Sequence, residues 1–209
     1  SKSGKTPKKK NTTTVKTVTV ESVSNKTLPI QIKTTGALLA KDRTTLFSEV
    51  QGIFSSSTRA FKPGVKFRKG ETLIRINPAE YAATVASQRS SFKSLITSAL
   101  VDIQFDYPNE LEKWKNYANS ISVNSNLPKL PISNSEKMNY YLTNKSINST
   151  YYNIKNLETR LRKYVISAPF SGVLVAASVT KGSLVSPGQN LGEFIKPGVY
   201  EFELNVHAG

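Results

Sequence analysis

A chain of 209 residues has room for one large domain or two small ones, and a hydrophobic fraction of 38% suits a modest core in a somewhat elongated molecule. The absence of cysteine excludes disulfides, thiol catalysis and Cys-based zinc sites, and no apolar run approaches the roughly 20 residues that a membrane-spanning helix needs. The formal charge of +15 raises nucleic-acid or polyanion binding, but five of the 29 basic residues lie in the first ten positions with no acid among them, leaving 24 basic against 14 acidic side chains elsewhere.

Residues 1–14, rich in Lys, Thr and Ser, read as a disordered basic linker without the apolar core of a signal peptide. Val15 to Val23 then alternates, with Val18 and Val20 on one face, and Ile30 and Ile32 resume the period of two, which predicts the first strands of a β-barrel over 15–34. Residues 35–77 and 165–198 form an internal pair. Gly64-Val-Lys-Phe-Arg-Lys-Gly70-Glu-Thr-Leu73 and Gly182-Ser-Leu-Val-Ser-Pro-Gly188-Gln-Asn-Leu191 share the pattern Gly, five residues, Gly, two residues, Leu. Each Gly closes a turn dipeptide that asks for positive φ, which glycine adopts without a steric penalty. Gly52 and Gly172 sit at the matching points upstream. Phe67, Leu73, Ile74 and Ile76, and Leu184, Leu191, Phe194 and Ile195, are the apolar parts of short strands, so the two copies predict two half-sheets that complete one another.

Between the copies, residues 78–164 read as a helical hairpin. Asn77-Pro78 supplies a capping residue and a favoured first helical residue. Val85, Phe92 and Ala99 fall seven apart, with Gln88 and Leu95 between them; on the return, roughly Ser135 to Tyr164, Tyr140, Ile147, Ile154 and Leu161 recur every seven and Thr143, Thr150, Leu157 and Tyr164 follow each by three. Such spacing predicts an antiparallel coiled coil with arms about 30 to 45 Å long. Asp106-Tyr107-Pro108 breaks the outgoing helix, and Asn109 to Ala118 reads as an extra tip helix, near 108–118, capped by Asn109. Leu127-Pro128-Lys129-Leu130-Pro131 is an extended return. Leu111, Trp114 and Tyr117 share one helical face. Two readings of it stand side by side: packing on Leu127 and Leu130 as a private mini-core, or contact with another protein. After residue 199, Tyr200, Phe202, Leu204 and Val206 alternate as a return strand of the barrel.

The order strand, half-motif, helical hairpin, half-motif, strand, together with Ser167-Ala168-Pro169-Phe170-Ser171-Gly172-Val173 and the Gly182 and Gly188 turns, resembles the periplasmic adaptor subunits, or membrane fusion proteins of the HlyD-like family, of tripartite efflux pumps. The resemblance implies an α+β fold: a split lipoyl-like β-sandwich, or hammerhead, interrupted by an antiparallel α-helical coiled-coil hairpin, with flanking strands of an incomplete β-barrel. It implies a non-enzymatic, cofactor-free link between an inner-membrane transporter, RND-type or ABC, and an outer-membrane channel. It further implies a homo-oligomeric ring, a trimer or hexamer, in the periplasm, anchored to the inner membrane by a segment outside this sequence. The strand and turn wording is nearer the RND type. On that reading Tyr107, Leu111, Trp114, Tyr117, Leu127 and Leu130 are candidates for docking at the hairpin tip. Many such adaptors carry Arg, Leu and Ser in fixed spacing near the tip; here Arg89 is followed four positions later by Lys93 where Leu belongs.

Little else in the chain carries chemistry. His207 is the single histidine and Met138 the single methionine, so neither a Ser/His/Asp set nor a metal-ligand spacing can be assembled. Gly64 to Gly70 lacks the Gly-Lys-Ser/Thr ending of a phosphate-binding loop. Lipoyl and biotinyl carriers use a related sheet but present their modified lysine on a tight turn, where this chain has the helical insert. The basic stripe Arg59, Lys62, Lys66, Arg68 and Lys69 is the feature favouring a polyanion binder, and no aromatic residues interleave with it as nucleic-acid stacking requires.

Overall fold

The glycine turns fix how the two half-motifs meet. In the computed structural model, which describes Gly4, residues 13–27, Pro29 and residues 34–204, Gly64, Gly70, Gly182 and Gly188 take φ of 88°, 83°, 93° and 80°. Their hydrogen bonds go to the opposite half. The Gly64 N–H donates to Leu174 O (2.8 Å) and the Gly182 N–H to Phe54 O (2.8 Å); the Gly70 N–H donates to Ala168 O (2.9 Å) and the Gly188 N–H to Ser48 O (2.8 Å).

Residues 36–204 form one unit, opening with β1 (Gly36–Ala40). The first half follows as β2 (Arg43–Phe47), β3 (Gly52–Ser56), β4 (Lys66–Phe67) and β5 (Thr72–Ile76). Four helices intervene: α1 (Ala79–Asp106), α2 (Pro108–Ser120), α3 (Glu136–Asn144) and α4 (Ile147–Arg162). The second half is β6 (Val165–Ser167), β7 (Gly172–Ala177), β8 (Leu184–Val185) and β9 (Asn190–Ile195), and β10 (Tyr200–Leu204) ends the unit.

Strand order is β2-β9-β7-β4 in one four-stranded sheet and β6-β5-β3-β8 in the other. Exchanging β2, β3, β4 and β5 for β6, β7, β8 and β9 turns the first order into the second, so the sandwich carries an internal two-fold repeat. The halves complete each other within sheets: each sheet takes two strands from each half. Phe54, Leu73, Ile74, Ile76, Leu174, Val185, Leu191 and Phe194 fill the space between, all 1% exposed or less. Leu184, expected inside, is 56% exposed. Val185, the repeat mate of Phe67, points inward instead, because alternate residues of a strand face opposite sides.

β10 pairs antiparallel with β1, from Gly36 against Leu204 to Ala40 against Tyr200. The barrel strand expected over Val15–Val23 does not form: residues 13–27, in a second unit made of residues 1–35 and 205–209, are exposed and carry neither helix nor strand. Alternation of Val18 and Val20 supplies β propensity, but a strand exists only where a neighbour takes its backbone hydrogen bonds, and β10 gives its described pairing to β1. Ile30, Ile32, Val206 and His207 lie outside the described residues.

The hairpin is antiparallel. Tyr81 lies against Tyr164, Arg89 against Glu158, Phe92 against Tyr151 and Asp102 against Tyr141, partners descending as α1 ascends. Its return arm is two helices rather than the expected one. The buried stripe steps Met138, Leu142, then Ile147, Tyr151, Ile154 and Glu158. The five-residue step from 142 to 147 exceeds a helical turn, and Ser146, left-handed at φ 56°, absorbs it. Tyr140, expected on the seam, is therefore 70% exposed. No described helix is long and apolar enough to cross a membrane.

Candidate docking surface on the helical hairpin

The α1 helix leaves the sandwich where β5 ends. Pro78 stands at its N-cap, one place later than the expected Asn77, whose Oδ1 accepts from the Ala79 N–H at 3.1 Å. The buried face of α1 runs Val85, Arg89, Phe92, Ile96, Ala99 and Ile103. The expected intermediates Gln88 and Leu95 are each one position off: Gln88 is exposed and Leu95 only partly buried. Steps of four and three, starting from Val85, place Arg89 and Ile96 inside instead.

Tyr107 ends α1, and Pro108 opens α2 as its first residue, earlier than an Asn109 cap would place it. The extra helix folds back along α1, away from the distal end. The Lys93 Nζ donates to Ile121 O at 3.1 Å, and Arg89 donates to Val123 O (3.1 Å) and Asn126 Oδ1 (3.0 Å). Residues 121–134 then return distally as an extended strap. It is held by Leu127 N–H to Glu158 Oε1 (2.8 Å), Tyr117 OH to Pro128 O (3.3 Å), Lys113 Nζ to Ile132 O (3.0 Å) and Ser133 OH to Glu110 Oε1 (2.9 Å). Ser135 caps α3 by accepting from the Met138 N–H.

This arrangement decides where the tip candidates lie. Trp114 is fully buried, and Tyr117 and Leu127 are buried; Leu111, Leu130 and Tyr107 are partly buried against the same cluster. As direct contacts, Trp114, Tyr117 and Leu127 are corrected: they point into the hairpin. The mini-core is not private either, since Phe92, Ile96, Ile103, Met138, Leu142, Ile147 and Ile154 belong to it. One 13-residue helix and two leucines cannot enclose an indole, whereas the apolar face of α1 lies alongside. The apolar side chains left outward on the distal half are Val101 and Phe105, one turn apart on α1, Ile132 on the strap and Tyr140 on α3; Phe105 is 79% and Ile132 83% exposed.

Within the hairpin, Arg89 and Glu158 form a buried ion pair at 2.8 Å, joined by Lys155 Nζ to Glu158 Oε2 at 2.8 Å. Burial pushes the Glu158 carboxyl up, but Lys155, the Leu127 N–H and Arg89 outweigh it and hold it below the ordinary glutamate range. The arginine nearest to the expected tip pattern is thus an internal clamp on the strap. Sequence reasoning missed the pair; the signal was a charged residue four positions after a buried apolar one on each arm, Val85 to Arg89 and Ile154 to Glu158. Nearer the distal end, Tyr141 donates to Asp102 Oδ2 (2.9 Å), Lys145 pairs with the same oxygen (2.8 Å), the Tyr141 and Tyr107 rings stand 5.4 Å apart and Lys137 Nζ lies 5.0 Å from the Tyr107 ring centre. Lys145 and Tyr141 hold the Asp102 carboxyl below its ordinary range, and burial with the Asp102 bond pushes the Tyr141 phenol up.

On the sandwich, Arg59 of the basic stripe pairs with Glu71 at 3.3 Å, while Lys62, Lys66, Arg68 and Lys69 project exposed. Among the described residues no three His, Cys, Asp or Glu side chains converge as a metal site.

Comparison with known proteins bears on the sandwich and hairpin together. The profile of the family described as "RND MFP, barrel-sandwich hybrid domain" matches residues 43–195. The antibiotic efflux pump periplasmic linker protein ArpA of Pseudomonas putida is 28% identical over 141 residues, covering 68% of this chain and 31% of that protein. The multidrug/solvent efflux pump periplasmic linker protein MepA of Pseudomonas putida is 28% identical over 141 residues, 68% of this chain and 30% of its own. The chain thus spans about a third of the length of these curated relatives. A crystal structure of a MacA-MexA chimeric protein containing the Pseudomonas aeruginosa MexA α-hairpin domain superposes with a TM-score of 0.57 at 17% identity, over 84% of this chain and 55% of that one.

Proposed function

Because the chain belongs to the RND membrane fusion protein family, through the barrel-sandwich hybrid domain at residues 43–195, we propose that it is the hairpin-bearing part of a periplasmic adaptor. It links an inner-membrane transporter of the RND type to an outer-membrane channel and performs no catalysis itself. Identical copies stand in a ring in the periplasm, held to the inner membrane. The observation that carries the reading is the strand exchange. Each half needs the other to complete its sheets, and the two arms of the hairpin project from β5 and β6, which pair within one of them.

The distal end of that projection meets the channel. Phe105, Tyr107, Ile132 and Tyr140 supply the contact, with the partly buried Leu111 and Leu130 beside them. Trp114, Tyr117 and Leu127 act from beneath, by holding α2 and the strap in place. The test is a photo-crosslinking residue at Phe105 or Ile132 of the full-length protein in its native host, with Trp114 as the buried control. Capture of an outer-membrane channel subunit from both distal positions, and not from 114, supports docking there. Assembly with the transporter intact but no channel captured from either distal position refutes it.

A further inference from the structure

Residues 108–134 leave the hairpin and return to it at one place. The Tyr107 OH donates to Lys137 O at 3.3 Å and the Ser133 OH to Glu110 Oε1 at 2.9 Å, so the exit before α2 and the re-entry before α3 stand side by side at the distal end. Between them the segment folds back along α1 and turns round at residues 121–127, its far end. Both joints are breaks in regular structure: Tyr107 leaves the helix at φ −141° and ψ 52°, and Ser135 is extended.

Two kinds of contact hold the segment down. Its apolar side, with Trp114, Tyr117, Ala118, Ile121 and Leu127, lies in the cluster that includes Phe92, Ile96 and Ile103 of α1. Its polar anchorage is gathered at the far end, where Arg89 donates to Val123 O and Asn126 Oδ1, Lys93 to Ile121 O and Lys155 to Leu127 O, while Glu158 accepts from the Leu127 N–H. Each of these bonds uses a side chain of an arm. Among the described residues no backbone-to-backbone hydrogen bond ties 108–134 to an arm, apart from Glu110 N–H to Tyr107 O at the exit joint. Lys113 to Ile132 O and Tyr117 OH to Pro128 O lie within the segment and keep α2 and the strap together. The arms, for their part, are joined directly by Arg89 to Glu158, by Phe92 against Tyr151 and by Asp102 to Lys145 and Tyr141. The segment can therefore lift without breaking a ladder or parting the arms.

A cost is built into the closed arrangement. The Trp114 indole N–H is fully buried without a hydrogen-bond partner among the described residues, and a buried donor left unmade opposes its own burial. Lifted off α1, the 13 residues of α2 are marginal as an isolated helix, so the released segment loses backbone protection as well.

We propose that residues 108–134 are a latched flap, hinged at Tyr107 and at Ser133 to Ser135, latched by Arg89, Lys93, Lys155 and Glu158, and opening as a unit while the arms and the sandwich stay folded. Opening uncovers Trp114 and the α1 face of Phe92, Ile96 and Ile103. It also shifts Leu111, Leu130 and Ile132, which belong to the segment, relative to Phe105 and Tyr140, which do not, so the latch regulates the distal contact surface. That regulation rests on the adaptor reading; the flap itself does not.

Residues 1–209 contain no cysteine, so an introduced thiol is unique among them. Ala118→Cys places it on the buried side of α2 and Ala168→Cys in the sandwich core. Each variant of the full-length protein is treated with a maleimide without denaturant and in rising low urea, and modification at 118 or 168 is quantified by peptide mass spectrometry. Labelling at 118 is expected to be at least about tenfold faster than at 168 and to depend less steeply on urea, because lifting a flap exposes less surface than unfolding. Adding Arg89→Met is expected to raise the rate at 118 by about tenfold or more. Equal rates and equal urea slopes at the two positions overturn the flap, since 118 is then reached only by global unfolding. An unchanged rate at 118 in the Arg89→Met background overturns the latch. If Ala118→Cys misfolds, amide exchange of the unsubstituted protein decides: α2 must exchange faster than α4, and equal protection overturns the flap. Neither result touches the distal crosslinking, and loss of channel capture leaves the labelling rates as they are, so the two readings fall separately.

Discussion

Arg89→Met tests whether the buried clamp holds the strap. Arg89 and Glu158 are 5% and 2% exposed in their side chains, and removing one partner of such a pair costs about 3–5 kcal/mol because the other charge stays buried. Lys155 and the Leu127 N–H still serve Glu158 in this variant, so the loss falls at the low end, about 3 kcal/mol. For a chain of this size that is a fall in midpoint temperature of roughly 6–12 °C. Glu158→Leu costs a similar amount. The double variant Arg89→Met/Glu158→Leu replaces the pair with apolar packing and loses about 2 kcal/mol less than the two singles together. Urea unfolding followed by circular dichroism measures the cycle. Trp114, the single tryptophan and fully buried beside the strap, reports the same region by its emission. Singles that each lose less than about 1 kcal/mol, or a double that is additive within about 0.5 kcal/mol, would refute the clamp.

Acid should release the strap through the same group. The folded Glu158 pKa is depressed, so its stabilisation is complete above the ordinary glutamate value, about 4.3, and is lost as pH falls through the lower folded value; Trp114 emission followed through this window should shift in the wild type and not in Glu158→Gln. At the alkaline end Tyr117 and Tyr141 have raised pKa values, caused first by burial, so the stability they contribute is present below about 10 and lost as pH climbs beyond it. Absorbance titration should find two tyrosines that ionise only as the chain unfolds, and complete ionisation of a still-folded protein would contradict this. Gly172→Ala should lose about 2–3 kcal/mol, because its Cβ would stand 2.2 Å from Ile195 O and 2.9 Å from the Phe194 ring. Gly64→Ala, with open space but φ of 88°, should lose about 1 kcal/mol; a Gly172→Ala loss no larger than this in chemical denaturation would contradict the close-approach argument.

The sequence by itself determined the features that a short window contains. Gly64, Gly70, Gly182 and Gly188 were legible because positive φ is a local demand that few other residues meet, and their repetition marked the two halves. Proline at 108 and the run of buried residues on α1 were legible for the same reason, although the phase of the stripe was read one position out between the heptad residues. Periodicity says that a face is buried; it does not say against what. Trp114, Tyr117 and Leu127 were correctly gathered as one apolar group, yet whether they faced a partner or α1 depended on a fold-back that no local pattern encodes. The same holds for Gly36–Ala40 pairing with β10, for the exchange of strands between the halves, and for Arg89 meeting Glu158. Each is a choice among distant segments of similar local preference, and it is made by which pairing closes the backbone hydrogen bonds and buries the most apolar surface at once. Those terms exist only when the whole chain is in place.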